Sequence, residues 1–395
     1  MQLIVSDKTQ QASFVPPDRL LLGPGPAMVH ERVYAAMSRP IIGHLDPVFL
    51  DLMDRVQGNL RRAFGTENAM TLPVSGTGSA GMQACFANLL EVGDEVVVGV
   101  NGVFGTRMAD VAERLGARVC RVEAEWGEVI PVEALAEAIA ACDNPRLLAV
   151  VHAETSTGAW QPVQGLAQLA HDSGALLMVD AVTSLAGCPL EVDAWDIDAC
   201  YSGTQKCLSC PPGLSPLTMS ERAMQRVADR KSAVSSWYLD LGLIAGYFGS
   251  ARVYHHTAPI SMLYALDEAL LLVHEEGLHA RWDRHRSNHE ALWAGLATLG
   301  LEPAASEGHR LWMLNSVLVP DGVDEAGLRR SLLEDHGIEI GPGLGPLAGR
   351  VWRIGLMGES SRAANVLRLL GALAQLLGGD AAKARRAAEQ SGLQG

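Results

Sequence analysis

The feature that most constrains the fold is a regular alternation of apolar, strand-like segments with helical segments between residues 69 and 220. Strands that alternate with helices are joined by crossover connections, so this pattern predicts an α/β fold with a mostly parallel sheet. Such a sheet binds its ligand at the carboxyl ends of its strands. The predicted strands are AMTLPV (69–74), EVVVGV (95–100), RVCRV (118–122), LLAVVH (147–152), ALLMVD (175–180), IDACYS (197–202) and PLTMS (216–220).

The remainder of the chain predicts a second, smaller unit. A long helical run over residues 262–299 follows the alternation. Two strands, WMLNSVLVP and RVWRIGL, then mix with helices, which is typical of an α+β domain. We therefore expect four parts, namely an N-terminal arm (1–20), a large domain (21–280), a small C-terminal domain (281–380) and a frayed tail (381–395).

Composition excludes several classes of protein. The chain of 395 residues carries a formal net charge of −14, which argues against a sequence-independent nucleic-acid binder. It contains no apolar run of the roughly 18 residues that a membrane span requires. Its seven cysteines are odd in number, and its start lacks the pattern of a signal peptide. We expect a cytoplasmic protein without nucleic-acid or membrane partners.

The glycine-rich segment VSGTGSAG (74–81) lies between a predicted strand and a predicted helix. Backbone amides and the helix dipole at such a junction can bind a phosphate. The segment also matches the dinucleotide fingerprint G-x-G-x-x-G, but the next strand runs into Asn101 instead of an acidic residue. A tight turn without a ligand is the other explanation. We favour a phosphate site that does not hold a dinucleotide.

Two charged residues follow neighbouring strands of the predicted sheet. Asp180 ends ALLMVD, and Lys206 follows IDACYS in the segment YSGTQK. Taken singly, Asp180 is explained equally well as a helix N-cap and Lys206 as an exposed loop residue. Together with the phosphate segment they match what pyridoxal phosphate requires, namely a helix N-terminus, a carboxylate for the ring nitrogen and a lysine for the aldehyde. A desolvated lysine is nucleophilic enough to form that Schiff base.

Two other candidate groups are given no chemical role. Cys207 and Cys210 have C-x-x-C spacing, but a structural zinc site needs four ligands and no second pair lies at suitable spacing. A redox pair would require its own strand-to-helix context. We therefore expect small packing residues at these positions and no metal. His44 and His152 lie near the predicted ligand crevice and are left unassigned.

Eight segments, taken in order, resemble those of the class V aminotransferases, and within that class they are most similar to the alanine–glyoxylate branch. The similarity runs from about residue 20 to about residue 378. It implies a fold-type I, pyridoxal-phosphate-dependent transferase that forms a homodimer with active sites at the subunit boundary. The segments are LLLGPGP, VSGTGSAG, VNGVFGTR, HAETSTG, VDAVTSLAG, YSGTQK, YHHT and WRIGLMG.

The resemblance assigns a role to each matching residue. Lys206 would form the Schiff base and Asp180 would contact the pyridine nitrogen. Thr155 would bond the ring hydroxyl, and Phe104 would stack on the ring, at a position where the class often has Trp. The phosphate-binding residues would be Thr77, Gly78, Ser79 and Gln205, joined by Tyr254 and Thr257 from the neighbouring subunit. Ser79 also departs from the class, which often has His there.

For the substrate, the resemblance implies Arg353 and Gly25. Arg353 would clamp the α-carboxylate, for which a guanidinium fork has suitable geometry. A salt bridge at the end of a strand is the alternative for Arg353. The implied activity is ping-pong transamination of a small amino acid, alanine first, with glyoxylate or another small 2-oxo acid.

Several alternatives to alanine remain open at the sequence level. Serine, aspartate, ureidoglycine and 2-aminoethylphosphonate are other possible donors, the last with pyruvate as acceptor. A class V lyase or desulfurase would use the same cofactor frame, although the desulfurase needs a late, mobile cysteine and none follows Cys210. A nucleotide-binding oxidoreductase is less favoured because of Asn101.

Overall fold

A computed structural model describes residues 13–393. The N-terminal part contains β1 (Leu20–Leu21), α1 (Glu31–Met37) and α2 (Pro47–Phe64). The alternating part contains β2 (Met70–Ser75), α3 (Gly78–Leu89), β3 (Glu95–Val100), α4 (Val103–Arg114), β4 (Arg118–Glu123), α5 (Val132–Ala140), β5 (Pro145–Val151), β6 (Ala153–Glu154), β7 (Ala159–Trp160), α6 (Leu166–Asp172), β8 (Leu176–Asp180), β9 (Ala199–Tyr201) and β10 (Leu214–Met219).

Helices follow, and then a mixed C-terminal part. The helices are α7 (Glu221–Ala228), α8 (Leu241–Phe248), α9 (Ile260–Glu276) and α10 (Leu278–Ala297). The C-terminal part contains β11 (Leu314–Leu318), α11 (Glu325–His336), β12 (Ile338–Glu339), β13 (Gly341–Pro342), β14 (Val351–Gly355), α12 (Ala363–Leu377) and α13 (Ala381–Gln390), with 3₁₀ turns at Gly345–Leu347 and Gly358–Ser360.

The central sheet has the strand order β2-β10-β9-β8-β5-β3-β4. The five strands from β9 to β4 are parallel to one another, and β10 is antiparallel to both of its neighbours. The predicted α/β fold with a mostly parallel sheet is therefore confirmed. Because β2 and β9 are both antiparallel to β10, β2 runs in the same direction as the five parallel strands. The carboxyl ends of β2, β8 and β9 consequently lie on one edge of the sheet.

The buried side chains form two main clusters. One surrounds the central sheet and extends from Val33 to Val273, and the other joins β1 to helices and strands of the C-terminal part. The C-terminal part has its own sheet, of order β11-β14-β13, while β1 pairs with β12. The four-part division at residues 20, 280 and 380 stays a prediction, and residues 1–12 of the arm lie outside the described part.

One local prediction is confirmed with a break, and another is wrong. The run predicted over 262–299 is helical but consists of two helices, because Gly277 between them has a φ of 84°, a conformation that glycine adopts at low cost. The tail predicted to fray over 381–395 forms α13 through Gln390. Ala384 and Ala388 on this helix are fully buried against α10 and α12, because small side chains allow close approach. Within residues 13–393, no helix is long and apolar enough to cross a membrane.

Candidate active site

The loop after β9 packs against the N-terminal turn at the carboxyl edge of the sheet. Lys206 donates from Nζ to the carbonyl oxygen of Pro24, and Ala27 N donates to Gln205 O at 2.9 Å. A Cβ atom at Gly25 would lie 2.7 Å from Cδ of Lys206, and Gly25 has a φ of 103°. The turn therefore requires glycine at this position, and the lysine is held between two backbone segments.

Lys206 has the electrostatic properties of a nucleophile. Only 7% of the residue is exposed. Burial lowers the pKa of its amine to about 8, and the positive charge of Arg353 acts in the same direction. With this pKa, roughly a tenth of the amine is neutral at pH 7, far more than in an ordinary lysine, and the neutral form is the one that attacks a carbonyl. The alternative of an exposed loop lysine does not describe this residue.

Asp180 ends β8 on the same edge and is 3% exposed. Its Oδ1 accepts from the backbone N–H of Val182 at 2.8 Å, and its Oδ2 accepts from the hydroxyl of Tyr201 at 2.6 Å. Burial raises the pKa of Asp180 to about 6, although both hydrogen bonds oppose the rise. The carboxylate is thus fixed in orientation, and a cationic partner would stabilise its ionised form.

The start of α3 forms the third component. Thr77 is its N-cap and makes no side-chain capping bond. Ala80 N donates to Thr77 O at 2.7 Å, and within the described residues no acceptor bonds the amides of Gly78 and Ser79, which can serve another acceptor. A Cβ atom at Gly78 would lie 3.1 Å from Cγ2 of Val182 and 3.6 Å from the carbonyl oxygen of Ser202. The helix therefore begins between the Asp180 segment and the Lys206 segment. Thr77 and Ser79 are exposed.

Arg353 reaches the site from β14 in the C-terminal part. It is 5% exposed, and it donates from Nε to Pro342 O at 2.6 Å and from Nη1 to Thr155 O at 3.0 Å. Burial lowers the pKa of its guanidinium to about 10. Among residues 13–393, no carboxylate lies within 4 Å of Arg353 and no acceptor bonds its Nη2. The charge of Glu154 acts on this buried cation only from beyond 4 Å, so the guanidinium has no paired anion among the described residues, and a substrate carboxylate would provide one.

The other predicted ring contacts lie between these groups. Phe104 is half-buried at the start of α4, and the guanidinium of Arg107 lies 5.0 Å from the centre of its ring. Thr155 is buried next to the bond that its carbonyl makes with Arg353. Gln205 lies beside Lys206, and its Oε1 atom is buried without a partner in the described part of the chain. An unpaired buried amide of this kind suits a polar ligand.

Tyr254 and Thr257 are placed differently. Tyr254 is 55% exposed, and its hydroxyl lies 3.5 Å from Oγ1 of Thr257, which is also exposed. Between residues 13 and 393, no hydrogen bond joins either side chain to Lys206 or Asp180. The intervening His256 does approach the site, since its Nε2 lies 3.0 Å from Oγ of Ser75.

Sequence reasoning missed Tyr201 and Glu154. Tyr201 lies directly opposite Asp180 in the register of β8 and β9. Glu154 is fully buried, and burial raises the pKa of its carboxyl group against the effect of its hydrogen bonds to Ser156, Gly105 and Phe104. An acidic residue inside the otherwise uncharged segment HAETSTG was the available signal for Glu154. For Tyr201 the signal was a tyrosine within a buried strand.

The unassigned histidines and the paired cysteines have structural explanations. Nε2 of His152 accepts from Nε1 of Trp160 at 2.8 Å, and burial lowers the pKa of His152 to about 3. The imidazole of His44 packs against the ring of Tyr254, with 5.2 Å between the ring centres. Burial raises the pKa of Cys207 to about 12 and raises that of Cys210 as well, so both remain thiols. Neither cysteine has the properties of a reactive or metal-binding thiolate.

The polar groups of the site fit pyridoxal phosphate. They comprise a buried amine, a buried carboxylate, amides at a helix N-terminus and the side-chain amide of Gln205, whose N–H groups can donate to a phosphate. Together with the sheet topology, these features define a fold-type I pyridoxal-phosphate-dependent transferase.

The comparisons with known proteins agree with this class. The family model described as aminotransferase class-V matches residues 27–345. The (S)-ureidoglycine–glyoxylate transaminase of Bacillus subtilis is 39% identical over 94% of this chain and 95% of its own length. The alanine–glyoxylate aminotransferase of Callithrix jacchus is 41% identical over 91% of this chain and 88% of its own length. The crystal structure of an alanine–glyoxylate aminotransferase from Nostoc sp. is 49% identical with a TM-score of 0.92, covering 95% of this chain and 100% of that one.

The chain therefore belongs to the class V aminotransferases. It is an enzyme of that class, and its cofactor is pyridoxal 5′-phosphate.

Proposed function

We propose that this enzyme transfers the amino group of a small amino acid to glyoxylate, with alanine as the first candidate donor. The observation that carries the proposal is the buried Arg353, which has no ion-pair partner within 4 Å among the described residues and lies near enough to Lys206 for its charge to lower the pKa of that amine. A donor with an α-carboxylate would pair with Nη2 of Arg353. Two relatives at about 40% identity are glyoxylate aminotransferases, which supports glyoxylate as acceptor.

Each residue contributes a defined step. When bound, the cofactor supplies a ring that withdraws electrons from the substrate α-carbon. The amides at the start of α3, with Thr77, Ser79 and Gln205, would hold the phosphate. Asp180 would hold the proton of the ring nitrogen, because a carboxylate stabilises a cation beside it. Nζ of Lys206 would bind the cofactor and later accept the proton from the substrate α-carbon.

A half-reaction screen tests the choice of donor. The cofactor-loaded enzyme is mixed with alanine, serine, aspartate, ureidoglycine or 2-aminoethylphosphonate, and the loss of its visible absorbance is followed. Alanine is expected to react fastest, and glyoxylate is expected to restore the band. A faster reaction with ureidoglycine would favour the second candidate, which the relative from Bacillus subtilis supports. No reaction with any α-amino acid would refute the proposal.

We also propose a homodimer with shared sites, in the cytoplasm, where the seven cysteines, which form no disulfide among the described residues, would stay reduced. The exposed Tyr254 and Thr257 would reach the cofactor phosphate of the neighbouring subunit. Mixing inactive Lys206→Ala and Tyr254→Phe variants should then restore part of the activity, because one of the two mixed sites carries neither substitution. Activity no higher than that of the separate variants would refute shared sites.

A lyase or desulfurase is a weaker candidate. A desulfurase requires a mobile cysteine late in the chain, and the sequence has no cysteine after Cys210. Cys207 and Cys210 are themselves buried. Assaying the loaded enzyme for sulfide release from cysteine checks this alternative, and we expect none.

A further inference from the structure

The buried carboxylate of Glu154 is held entirely by hydrogen-bond donors. Its Oε2 accepts from Phe104 N at 3.0 Å and from Gly105 N at 3.3 Å. Its Oε1 accepts from both N and Oγ of Ser156, at 3.0 and 2.6 Å. Within the described residues, no lysine or arginine lies within 4 Å of this group. Backbone dipoles and one hydroxyl therefore make its close contacts, while Lys206 and Arg353 attract the charge from a longer distance.

These bonds form the N-terminal cap of α4. The N-cap residue of α4 is Gly102, which has no side chain to bond the first amides. Glu154 accepts from two of those amides, and Oγ of Ser156 accepts from a third, Val103 N, at 2.9 Å. A Cβ atom at Gly102 would lie 2.5 Å from Cδ of Glu154, so glycine makes room for the carboxylate. A negative charge at a helix N-terminus is favourable.

The same carboxylate lies between two parts of the active site. Glu154 accepts from the backbone amide of Phe104, and the ring of Phe104 is the one proposed to stack on the cofactor. Thr155, the next residue along the chain, accepts from Nη1 of Arg353 at 3.0 Å through its carbonyl. A shift of Glu154 would therefore move the stacking ring relative to the residue that binds the substrate carboxylate.

We propose that Glu154 is a positioning residue that fixes Phe104 and the Thr155 peptide in one geometry around the cofactor ring. The proposal rests on the proposed roles of Phe104 and Arg353. A carboxylate is required because all four partners are donors, whereas the amide of glutamine would place its own N–H groups against some of them. An unmatched donor in a buried site is costly.

Glu154→Gln tests this proposal in the full-length protein. The dissociation constant of pyridoxal phosphate is measured on the apo enzyme by equilibrium dialysis, and the visible circular dichroism of the bound cofactor is recorded. We expect the dissociation constant to rise by about tenfold or more, and the dichroic band to change, because the ring loses its fixed contact. Glu154→Asp, which keeps the charge, should lie between Gln and wild type.

Asp198→Asn is the matched control. Asp198 is also fully buried and accepts from a backbone amide, Leu177 N at 2.9 Å, and from a hydroxyl, Ser220 Oγ at 2.8 Å, but it lies at the amino end of β9. Unlike Glu154 it also contacts Arg222 and His171, at 2.8 and 2.7 Å, so its loss should cost at least as much stability. The Asp198→Asn substitution should lower the unfolding temperature without changing the affinity for the cofactor or its visible circular dichroism. If Glu154→Gln behaves like this control, Glu154 is only structural and the proposal is overturned.

A double substitution shows whether Glu154 acts through Phe104. In a Phe104→Leu background, Glu154→Gln should have a much smaller effect on cofactor affinity, whereas equal effects in both backgrounds would overturn the proposal. If Glu154→Gln fails to fold, Ser156→Ala takes its place, with an expected rise of about threefold in the dissociation constant. Wild type that binds cofactor but does not react with amino acids would instead refute the proposed function.

Discussion

The hydroxyl of Tyr201 controls the ionisation of Asp180, and Tyr201→Phe removes it with little change in shape. The hydroxyl donates to Oδ2 of Asp180 at 2.6 Å, and both residues are buried. A hydrogen bond to a charged group contributes about 1.5–3 kcal/mol. The pKa of Asp180, already raised to about 6 by burial, should therefore rise by roughly one to two further units.

The pH dependence of stability reports this change with a definite sign. Because the folded pKa of Asp180 lies above the ordinary 3.8, the native state holds more protons between pH 3.8 and 6, and stability falls as pH rises through that range. In Tyr201→Phe the fall should continue to roughly pH 7–8. The free energy of unfolding of Tyr201→Phe should be only slightly below that of wild type at pH 4 and lower by about 1.5–3 kcal/mol at pH 8.

Urea unfolding of the apo protein from pH 4 to 8, followed by tryptophan fluorescence, measures the free energy of unfolding and its dependence on pH. Tyr247→Phe is the matched control, because Tyr247 is also fully buried and its hydroxyl donates to a backbone carbonyl, that of His44, at 2.8 Å. Tyr247→Phe should lower the free energy of unfolding by about 1 kcal/mol at every pH. A loss in Tyr201→Phe that is equally independent of pH would refute the reasoning about Asp180.

Four further predictions concern the site. Arg353→Leu should lower kcat/KM for alanine about 100-fold but leave the slow reaction of ethylamine, which lacks the carboxylate, unchanged; equal losses would exclude the clamp. The rate at which apo enzyme captures cofactor covalently should rise with pH around a midpoint near 8, because burial lowers the pKa of Lys206; stopped-flow traces with a midpoint near 10.5 would contradict this. The free energy of unfolding should also rise between pH 8 and 10.5, because in that range Lys206 is protonated in the unfolded chain but not in the folded one. Gly25→Ala should slow the same capture at least about tenfold, since its Cβ would lie 2.7 Å from Lys206 Cδ at a φ of 103°; an unchanged rate would show that the turn adapts.

The sequence predicted the central sheet because each strand there is a short apolar run bounded by a helix. The neighbouring positions of Asp180 and Lys206 followed from the same pattern, since parallel strands end at one edge. The break at Gly277 was missed because the apolar residues keep helical spacing on both sides of it. The helix in the tail was missed because it depends on alanines that pack against distant helices.

The supporting residues required information that a single sequence does not contain. Tyr201 meets Asp180 only through the register of β8 and β9, and sequence patterns do not specify register between buried strands. Glu154 meets Phe104 across 50 residues of chain. Arg353 was assigned from family resemblance alone, because its strand belongs to the C-terminal part and approaches the site only in the folded molecule.

Borohydride reduction of the cofactor-loaded enzyme tests the central claim most directly. Reduction fixes the cofactor to the lysine that holds it, and peptide mass spectrometry then identifies that residue. The site described above predicts modification of Lys206, and no incorporation in Lys206→Ala. Attachment to another lysine, or incorporation that persists in Lys206→Ala, would contradict the assignment of Lys206 on which the proposed chemistry depends.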